Sequence, residues 1–338
     1  MTVSTLRQPA DAPVLDVADL NVSFRTRTDD VRVVRDLSFT VARGEVFAVI
    51  GESGSGKSTM AQAVMGLLPG TTQTSGRISL GGQPIHNLAP AARRRLCGER
   101  MALISQDALA ALNPCTTVGF QIAETLMVHR GLGHGAAMQR AVELLKLTGI
   151  PSPAERVHHY PHEFSGGMRQ RALIAMALAL EPDILVADEP TTALDATIKA
   201  QILQLLMRLR RELGMAVLIV THDMGVVARM ADRMLVMYAG RAVETGPVVE
   251  VFDAPAHPYT RALLKAIPRL DQPGLALRAI AGAPPAPQAM PPGCPFHPRC
   301  PMAVAACASE LPQPIRFAGG RTSQCRIPPG EVPYAELA

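Results

Sequence analysis

Apolar and polar positions follow two different periods along this chain, and the changes between them mark its regions. Residues 14 to 50 alternate in the manner of half-buried strands, with a second strand pair at about Val31 to Val41, which predicts an antiparallel β layer. Three later runs are apolar at every position but too short for helices: Val46–Ile50, Ile184–Ala187 and Ala216–Val220. Such runs are typical of parallel strands that are buried on both faces.

Helical spacing replaces the strand pattern between about residues 107 and 170. Val118 to Arg130 and Ala136 to Leu147 carry apolar residues three and four positions apart. A further helix is predicted over Ala196 to Leu213, between two of the buried strands. We therefore predict one α/β domain over residues 14–250, into which a helical subdomain is inserted at about residues 107–170.

Proline content separates the last part of the chain from the rest. From Val251 onward, 17 of the 29 prolines fall within 88 residues, and the regular alternation of strands and helices ends. We predict that residues 251–338 form a loop-rich extension whose order depends on something other than regular secondary structure.

Composition limits the function classes. With 48% hydrophobic and 18% charged residues, the chain is typical of globular proteins. The formal net charge of +4 is small for 338 residues and the basic residues are spread out, so we expect no nucleic-acid partner. The cluster Arg93 to Arg95 is expected to be a solvated helix face.

Hydropathy gives no sign of a secreted or membrane-spanning chain. Met1 to Pro13 lacks the apolar core of a secretory signal, and the longest purely apolar stretch, Ala172 to Leu180, has nine residues. A membrane-spanning helix needs roughly 20. We therefore expect an intracellular protein, which can still dock on a membrane protein.

A phosphate-binding pattern directly follows the first buried strand. Residues 51–59 match G-x-x-x-x-G-K-S/T at every constrained position, between an apolar strand and a helical pattern. Glycines let backbone N–H groups turn toward phosphate oxygens, and the lysine reaches the β- and γ-phosphates. The candidate nucleotide-binding residues are Gly51, Ser53, Gly54, Ser55, Gly56, Lys57, Ser58 and Thr59, and Ser58 is also a candidate Mg²⁺ ligand. The alternative, a glycine-rich turn with a chance lysine, is disfavoured by the strand before and the helix after.

Polar residues end three other predicted strands, at the edge where parallel α/β sheets bind ligands. Gln106 is a candidate to bind Mg²⁺ or to sense the γ-phosphate. Asp188 suits the hydrated Mg²⁺ and Glu189 suits the polarisation of an attacking water. His222 is placed to contact a γ-phosphate. The alternatives are a carboxylate pair that only caps the next helix and a histidine with a structural role.

A second anion-binding helix start lies further along the chain. Ser165, Gly166 and Gly167 open a predicted helix, whose free N–H groups and dipole favour an anion. Two such helix starts, separated by a helical insertion, are hard to direct at one ATP within one chain.

In the β layer, Phe24 is a candidate to stack on an adenine ring or, equally, an inward-facing core residue.

Four of the six cysteines fall within the last 45 residues: Cys294, Cys300, Cys307 and Cys325. In a proline-stiffened intracellular segment, such thiols are favoured as metal ligands over disulfides. Their spacing matches neither a zinc ribbon nor a ferredoxin, so zinc and an iron–sulfur cluster are equal candidates on spacing alone. His297 is a further candidate ligand or a solvated loop residue, and four unliganded buried cysteines are the remaining alternative.

In order and spacing, these motifs resemble the nucleotide-binding subunit of an ABC transporter. Residues 51–58 correspond to the Walker A motif, residues 165–169 to the signature and residues 184–189 to Walker B. Gln106 corresponds to the Q-loop, His222 to the H-loop and Asp195 to the D-loop, which adds Asp195 to the nucleotide-binding candidates. The resemblance covers about residues 14–250 and implies a P-loop NTPase core of the RecA-like type.

This resemblance implies an ATPase that hydrolyses ATP to ADP and phosphate. It implies a head-to-tail dimer with an identical or homologous ATPase subunit, in which ATP lies between one P-loop and the other signature helix. Further implied partners are two transmembrane permease subunits and, indirectly, an extracytoplasmic solute-binding protein, with the chain at the cytoplasmic face of the membrane. The alternative is a soluble ABC-type ATPase acting on nucleic acid or the ribosome, a class that usually has tandem cassettes or a long insertion.

A finer resemblance is to the ATPases of oligopeptide and dipeptide importers, which also serve nickel and some other small solutes. It is carried by residues 160–171, residues 188–195 and His257-Pro258-Tyr259-Thr260 before the cysteine-bearing tail. Phe164 stands where leucine is usual, and Met168 replaces the glutamine of the general signature. This resemblance implies a 4Fe–4S cluster at the four cysteines, with zinc as the alternative, and leaves the transported solute open.

Overall fold

The computed structural model describes residues 12–26, 29–192, 194–267 and 280–327, apart from the side chains of residues 108 and 109. The strands in these ranges are β1 (Leu15–Arg25), β2 (Asp30–Val41), β3 (Val46–Ile50), β4 (Thr72–Leu80), β5 (Gln83–Pro84), β6 (Met101–Ile104), β7 (Ile184–Asp188), β8 (Ala216–Thr221), β9 (Arg233–Tyr238), β10 (Arg241–Pro247), β11 (Ile315–Arg316) and β12 (Thr322–Ser323).

The helices in the same ranges are α1 (Lys57–Met65), α2 (Pro90–Glu99), α3 (Ala108–Ala111), α4 (Val118–Arg130), α5 (His134–Leu147), α6 (Pro153–Arg156), α7 (Gly166–Ala177), α8 (Ala196–Leu213), α9 (Met224–Met230), α10 (Val248–Asp253), α11 (Pro258–Lys265) and α12 (Ala305–Ser309). Short 3-10 turns span Pro161–Glu163, His297–Arg299 and Ala318–Gly320.

β3 is an interior strand of the larger sheet, between β9 and β8 in the parallel order β9-β3-β8-β7-β6. Val46, Ala48 and Ile50 pack into one apolar core, and Phe47 and Val49 pack into a second core on the opposite face. A strand with a core on each face must be apolar at every position, which explains the unbroken apolar runs. The predicted α/β fold with buried parallel strands is confirmed.

The predicted antiparallel layer is the smaller sheet, in the order β2-β1-β4-β5. The strand pair predicted at about Val31 to Val41 is instead the single strand β2. β1 pairs antiparallel with both β2 and β4. Its inward side chains, among them Leu15, Val17 and Val22, share the second core with β3 and α1. The layer is thereby attached to the helix that follows the P-loop.

The helical insertion has its own apolar core. Ile122 of α4, Leu144 and Leu145 of α5 and Ala172 of α7 are buried together there. α4 has the predicted bounds, whereas α7 ends at Ala177 instead of continuing to about Leu180. Pro182 disfavours helical backbone at Glu181, where the chain has a left-handed φ of 56°, so the helix cannot continue into the strand that follows.

Arg93 contradicts the expectation that residues 93–95 form a solvated face. It is buried, whereas Arg94 and Arg95 are exposed. Its guanidinium donates to the backbone carbonyls of Ile85 and Val64, so it closes the carboxyl end of α1. Because a guanidinium has five donors, it can satisfy several such carbonyls. This role depends on a tertiary contact that the arginine cluster itself does not reveal.

The C-terminal extension is joined to the larger sheet. β12 pairs with β10, and β11 pairs with β12. Beside them, the buried carboxylate of Glu244 accepts hydrogen bonds from Arg321 and from the backbone N–H groups of Ala256 and His257. These bonds compensate the carboxylate for its lost hydration and fix the path of the chain around it. A domain boundary at residue 250 stays a prediction, since cassette and extension share one sheet.

In the described part of the chain, no helix has the length and hydropathy needed to cross a membrane. The longest helix, α8, has 18 residues, and its buried side chains lie on one face: Ile202, Leu203, Leu205, Leu206 and Leu209. Its basic residues lie elsewhere, as in a helix that packs on a globular core.

Candidate nucleotide-binding and catalytic site

Parallel pairing brings four separate parts of the chain to one edge of the larger sheet. Ile50 lies opposite Thr221, and Val220 lies opposite Asp188 on the next strand. Ile104 lies opposite Ala187 on the strand after that. The residues that follow these strand ends are Gly51, His222, Glu189 and Gln106. These four residues, which the sequence predicted at strand ends, therefore lie together at the edge where parallel α/β sheets bind ligands.

The P-loop runs from the end of β3 into α1, close to neighbouring backbone. A Cβ on Gly51 would overlap the carbonyl oxygen of Met237, so only glycine fits at that position. Gly56 precedes the helix with a φ of 99°, in the left-handed region that favours glycine. Lys57 begins α1, and its Nζ donates to the carbonyl oxygens of Gly51 and Glu52 at 2.8 and 2.9 Å.

Lys57 is a buried cation surrounded by carboxylates. Burial lowers the pKa of its ammonium group, while the charges of Glu189, Asp188 and Glu52 act in the opposite direction. The loop carbonyls satisfy its donors where no phosphate is bound. A triphosphate brought to this loop would supply the negative charge that this buried ammonium requires.

Asp188 has an unsatisfied oxygen. Burial raises the pKa of its carboxyl group, and the charge of Glu189 acts in the same direction, whereas a hydrogen bond from Ser58 lowers it. The Oδ1 atom is buried and has no hydrogen-bond partner. Leaving such an atom unpaired costs about 1–3 kcal/mol. A buried carboxylate oxygen beside a serine hydroxyl fits hydrated Mg²⁺, which binds through few protein ligands and retains water.

Three side chains hold the carboxylate of Glu189 in place. Its Oε1 accepts a hydrogen bond from His222 Nδ1 at 2.9 Å, and its Oε2 accepts from Thr192 Oγ1 at 2.8 Å and from Gln106 Nε2 at 3.2 Å. Burial would raise the pKa of this carboxyl group, but the hydrogen bonds from His222 and Thr192 outweigh it, so the pKa lies below its ordinary value. The group is therefore an oriented and ionised carboxylate at neutral pH.

The backbone of Glu189 is also unusual. Its φ of 47° lies in the left-handed region, which costs a non-glycine residue about 1–3 kcal/mol. Its N–H donates to the carbonyl oxygen of Val220, which holds this conformation against β8. This backbone turns the carboxylate toward His222 and Gln106 instead of continuing the strand.

The predicted signature residues lie at the exposed start of α7. The Ser165 hydroxyl caps this helix by accepting a hydrogen bond from the N–H of Met168 at 3.4 Å. A Cβ on Gly167 would lie 2.8 Å from Ile198 of α8, so a side chain there would be crowded. Across the described residues, no hydrogen bond or ion pair joins residues 165–167 to the P-loop. Their part in nucleotide binding stays a prediction.

Two other predicted nucleotide contacts have structural roles in this chain. Asp195 caps α8 by accepting hydrogen bonds from the N–H groups of Thr197 and Ile198, both at 3.0 Å. Phe24 is partly buried and packs against the second core. The packing of Phe24 agrees with its structural alternative, and neither observation tests a contact with a nucleotide.

All four C-terminal cysteines line one small cavity of about 20 Å³ beside Phe296 and His257. They are free thiols, and burial raises the pKa of Cys300 to about 11. The described part of the chain nevertheless contains no group of three or more His, Cys, Asp or Glu side chains arranged to hold a metal ion. The four thiols thus share one location, but the predicted metal centre has no support in the described part of the structure.

Sequence reasoning missed three side chains that contact the site. Thr192 holds Glu189, and its place three residues further on was a usable signal. Tyr259 and Arg299 of the C-terminal extension contact Glu52 of the P-loop. Tyr259 lies in the motif of residues 257–260, but neither that motif nor the sequence around Arg299 indicates a contact with Glu52, because this partner lies more than 200 positions earlier in the chain.

Comparison with known proteins decides the family. The profile described as "ABC transporter" matches residues 34–192, and the profile described as "Oligopeptide/dipeptide transporter, C-terminal region" matches residues 243–307. The dipeptide transport ATP-binding protein DppD of Bacillus subtilis is 46% identical over 96% of this chain and 98% of its own length. The chain belongs to the ABC transporter family. The resemblance drawn from the motifs is confirmed.

Further relatives of this ABC ATPase match over similar lengths. The oligopeptide transport ATP-binding protein OppD of Salmonella typhimurium is 46% identical over 98% of both chains. The dipeptide transport ATP-binding protein DppD of Escherichia coli is 45% identical over 93% of this chain and 97% of its own. The likeness therefore includes the extension as well as the cassette.

Solved structures share the cassette fold. The ATP-binding cassette MJ0796, in a dimeric post-hydrolysis state bound to ADP and Pi, has a TM-score of 0.62 and 28% identity over 69% of this chain and 98% of its own. CbiO1 from Clostridium perfringens, part of the ABC transporter complex cbiONQ, has a TM-score of 0.62 and 30% identity over 71% of this chain and 91% of its own. The ABC ATPase has the P-loop NTPase fold and is an ATP-hydrolysing enzyme.

We expect Glu189→Gln to bind ATP and to lose hydrolysis. The amide keeps the shape of the side chain but cannot accept a proton, and general-base catalysis contributes about 10²–10⁴-fold to rate. Steady-state phosphate release, together with equilibrium binding of ATP, measures both effects. Near-normal turnover by this variant would remove Glu189 from the base role.

Proposed function

We propose that this ABC ATPase is the energising subunit of an importer for peptides or chemically similar small solutes. The observation that carries the proposal is the match of both the cassette and the C-terminal region to dipeptide and oligopeptide transport ATP-binding proteins over nearly the full chain. The alternative of a soluble ATPase acting on nucleic acid or the ribosome finds no support among these relatives.

Within this function, the P-loop binds the triphosphate. Its backbone N–H groups and the start of α1 face the β- and γ-phosphates, and Lys57 exchanges its loop carbonyls for phosphate oxygens. Ser58, Asp188 and Gln106 are the proposed protein side of the Mg²⁺ site. When bound, Mg²⁺ neutralises charge on the β- and γ-phosphates.

Glu189 acts as the general base in the proposed reaction. It accepts a proton from a water whose oxygen forms the new bond to the γ-phosphorus, while the bond between that phosphorus and the β-γ bridging oxygen breaks. ADP leaves with the electron pair of the broken bond. His222, Gln106 and Thr192 orient the Glu189 carboxylate, and the hydrogen bonds from His222 and Thr192 keep it ionised.

The signature residues act on the ATP of a partner subunit in this proposal. Ser165 and Gly166 are exposed, and the free start of α7 is available to an anion presented from outside the chain. The dimeric state of the similar cassette MJ0796 supports a dimer of such units. Asp195 and Phe24 complete the proposed nucleotide contacts. The partner ATPase is a second copy or a homologous chain.

We expect Ser165→Asp to abolish hydrolysis and leave ATP binding to the P-loop intact. Aspartate caps a helix as well as serine does, so the fold is retained, but its charge repels a phosphate at this helix start. Ser165→Asn is the matched control, because it caps equally well without a charge. Binding of ATP to dilute protein and ATPase activity of concentrated protein are compared. If Ser165→Asp is as active as Ser165→Asn, the signature role is wrong.

Membrane subunits are the remaining partners, at the cytoplasmic face of the membrane. We propose that they dock on an open groove of about 1120 Å³ between α1, the antiparallel layer, α2 and α4. Its wall is partly apolar, and Leu67 at the end of α1 is 52% exposed. An exposed leucine beside a groove of this size is typical of a surface that accepts a partner helix. Gln106 and the helical insertion are proposed to transmit closure on ATP to these subunits.

A cysteine at position 67 should cross-link to a polytopic membrane protein in native membranes. The experiment uses a Cys115→Ser background, because Cys115 is the exposed native thiol. Val249→Cys is the matched control, since Val249 is apolar, 70% exposed and outside the groove. We expect the Leu67→Cys adduct to contain a permease subunit. Equal cross-linking at both positions would contradict the docking surface.

We propose in addition that the four C-terminal cysteines are a ligand set for a 4Fe–4S cluster, with zinc as the alternative. The support is the donor set, since four thiols line one cavity. A cavity of about 20 Å³ holds roughly one water-sized particle, so a single ion needs less rearrangement than a cluster does. Both require deprotonation of the thiols, and burial raises the pKa values of Cys294, Cys300 and Cys325.

Anaerobic purification of the full chain tests this ligand set. A cluster gives about four iron and four labile sulfide per chain, and a structural zinc site gives about one zinc. We expect Cys307→Ser to lose the metal and Cys115→Ser, which lies outside the cavity, to keep it. Absence of both metals from freshly purified protein would overturn the proposal.

A further inference from the structure

The C-terminal extension contacts the P-loop through an ion pair. Glu52 is the second residue of the P-loop, and both of its carboxylate oxygens accept hydrogen bonds from the guanidinium of Arg299. The two distances are 2.7 and 3.0 Å, which is the bidentate geometry of a strong arginine–carboxylate pair. The partners are 247 positions apart in the chain.

Arg299 is held rigidly on the side of the extension. Its side chain is only 5% exposed, and it donates to the carbonyl oxygens of Ile280 and Ala281 and to the hydroxyl of Tyr238. Its guanidinium also lies 5.8 Å from the centre of the Tyr238 ring. A guanidinium fixed by this many contacts presents its charge to Glu52 at little further cost in conformational entropy.

A second contact from the extension reaches the same P-loop residue. The backbone N–H of Glu52 donates to the hydroxyl of Tyr259 at 2.9 Å. Tyr259 is buried, and its ring lies 4.5 Å from that of Tyr238 and 5.3 Å from that of Phe296. The extension therefore binds the backbone of Glu52 through Tyr259 and its side chain through Arg299.

Glu52 in turn contacts the phosphate-binding lysine. Its carbonyl oxygen accepts a hydrogen bond from Lys57 Nζ at 2.9 Å. Its carboxylate is near enough to act on the charge of that ammonium group. A carboxylate at this position without a cationic partner would repel an incoming triphosphate.

We propose that Arg299 is a positioning residue of the nucleotide site, which holds Glu52 and neutralises its carboxylate so that the P-loop binds ATP. Tyr259 supports the same P-loop conformation through the backbone. The extension thereby contributes to ATP affinity without touching the nucleotide. This inference rests on the proposed role of the P-loop as the ATP site.

The test measures ATP affinity and fold stability separately in the full-length chain. Arg299→Met keeps the apolar stem against Tyr238 and leaves the Glu52 carboxylate unpaired. We expect it to weaken binding of a non-hydrolysable ATP analogue about tenfold or more, because an uncompensated charge stands beside the phosphates. The KM for ATP should rise by a similar factor while kcat changes little, since the catalytic carboxylate is unaltered.

The double variant separates charge neutralisation from mere anchoring. Adding Glu52→Gln to Arg299→Met removes the unpaired charge, so we expect affinity to return to within about twofold of the wild type, as non-additivity between residues in direct contact allows. Glu52→Gln alone should bind the analogue at least as well as the wild type. A purely structural role of Arg299 predicts no recovery in the double variant.

A matched ion pair on the opposite edge of the same sheet provides the control. Arg100 and Asp183 precede β6 and β7 and are joined at 2.7 Å, with both side chains partly buried. Arg100→Met should lower the unfolding temperature and leave ATP affinity unchanged. If Arg299→Met does not fold, Arg299→Lys serves instead, because lysine keeps the charge but loses the bidentate geometry. We expect Arg299→Lys to bind the analogue more weakly than the wild type and Glu52→Gln to bind it at least as well as the wild type.

The outcomes are distinguishable. Wild-type protein that does not bind the analogue contradicts the proposed ATP site itself. Normal wild-type binding, with Arg299→Met and Arg299→Lys both within about twofold of it, overturns the positioning role. Weak binding by Arg299→Met without recovery in the double variant overturns charge neutralisation as its cause. Recovery in the double variant, with an unchanged Arg100→Met control, supports the inference.

Discussion

Parallel pairing of β3 with β8, and of β8 with β7, is the constraint on which the site depends. This pairing places residues from the P-loop, from Walker B and from the end of β8 at one edge of the sheet, although they are far apart in the chain. The pairing requires both faces of these strands to be covered. Two apolar cores supply that cover, so the packing of the cassette and the geometry of its chemistry have the same origin.

The two carboxylates at this edge of the sheet differ in how fully hydrogen-bond donors compensate them. Glu189 is compensated by donors from His222, Thr192 and Gln106, and its pKa is lowered. Asp188 keeps a buried oxygen without a partner, and burial raises its pKa. Lys57, which begins α1, uses loop carbonyls as acceptors. An unpaired buried oxygen and a lysine bonded only to its own loop lower the stability of the protein. Such groups are expected at a site where a ligand supplies the missing partners.

The C-terminal extension is structurally part of the cassette. It contributes two strands to the larger sheet, it satisfies Glu244 through Arg321, and it reaches the P-loop through Tyr259 and Arg299. The cysteine-lined cavity lies next to these contacts, because Phe296 both lines the cavity and packs against Tyr259. Phe296 therefore connects the cavity directly to Tyr259, one of the two residues that hold Glu52.

Periodicity and motif spacing were sufficient to predict the α/β class, the bounds of α4 and α8, the P-loop and the strand-end residues Gln106, Glu189 and His222, because hydrophobic burial and phosphate binding impose local patterns on the chain. Arg93 and Arg299 could not be assigned in this way. An arginine that closes a helix or pairs with a P-loop glutamate looks like any surface arginine until folding supplies its partner, which for Arg299 lies 247 positions away. The sequence by itself determined the helices, the strands and the phosphate-binding motif. Only the tertiary structure decided how buried charges are compensated, because electrostatic partners need proximity in space and impose no period on the sequence.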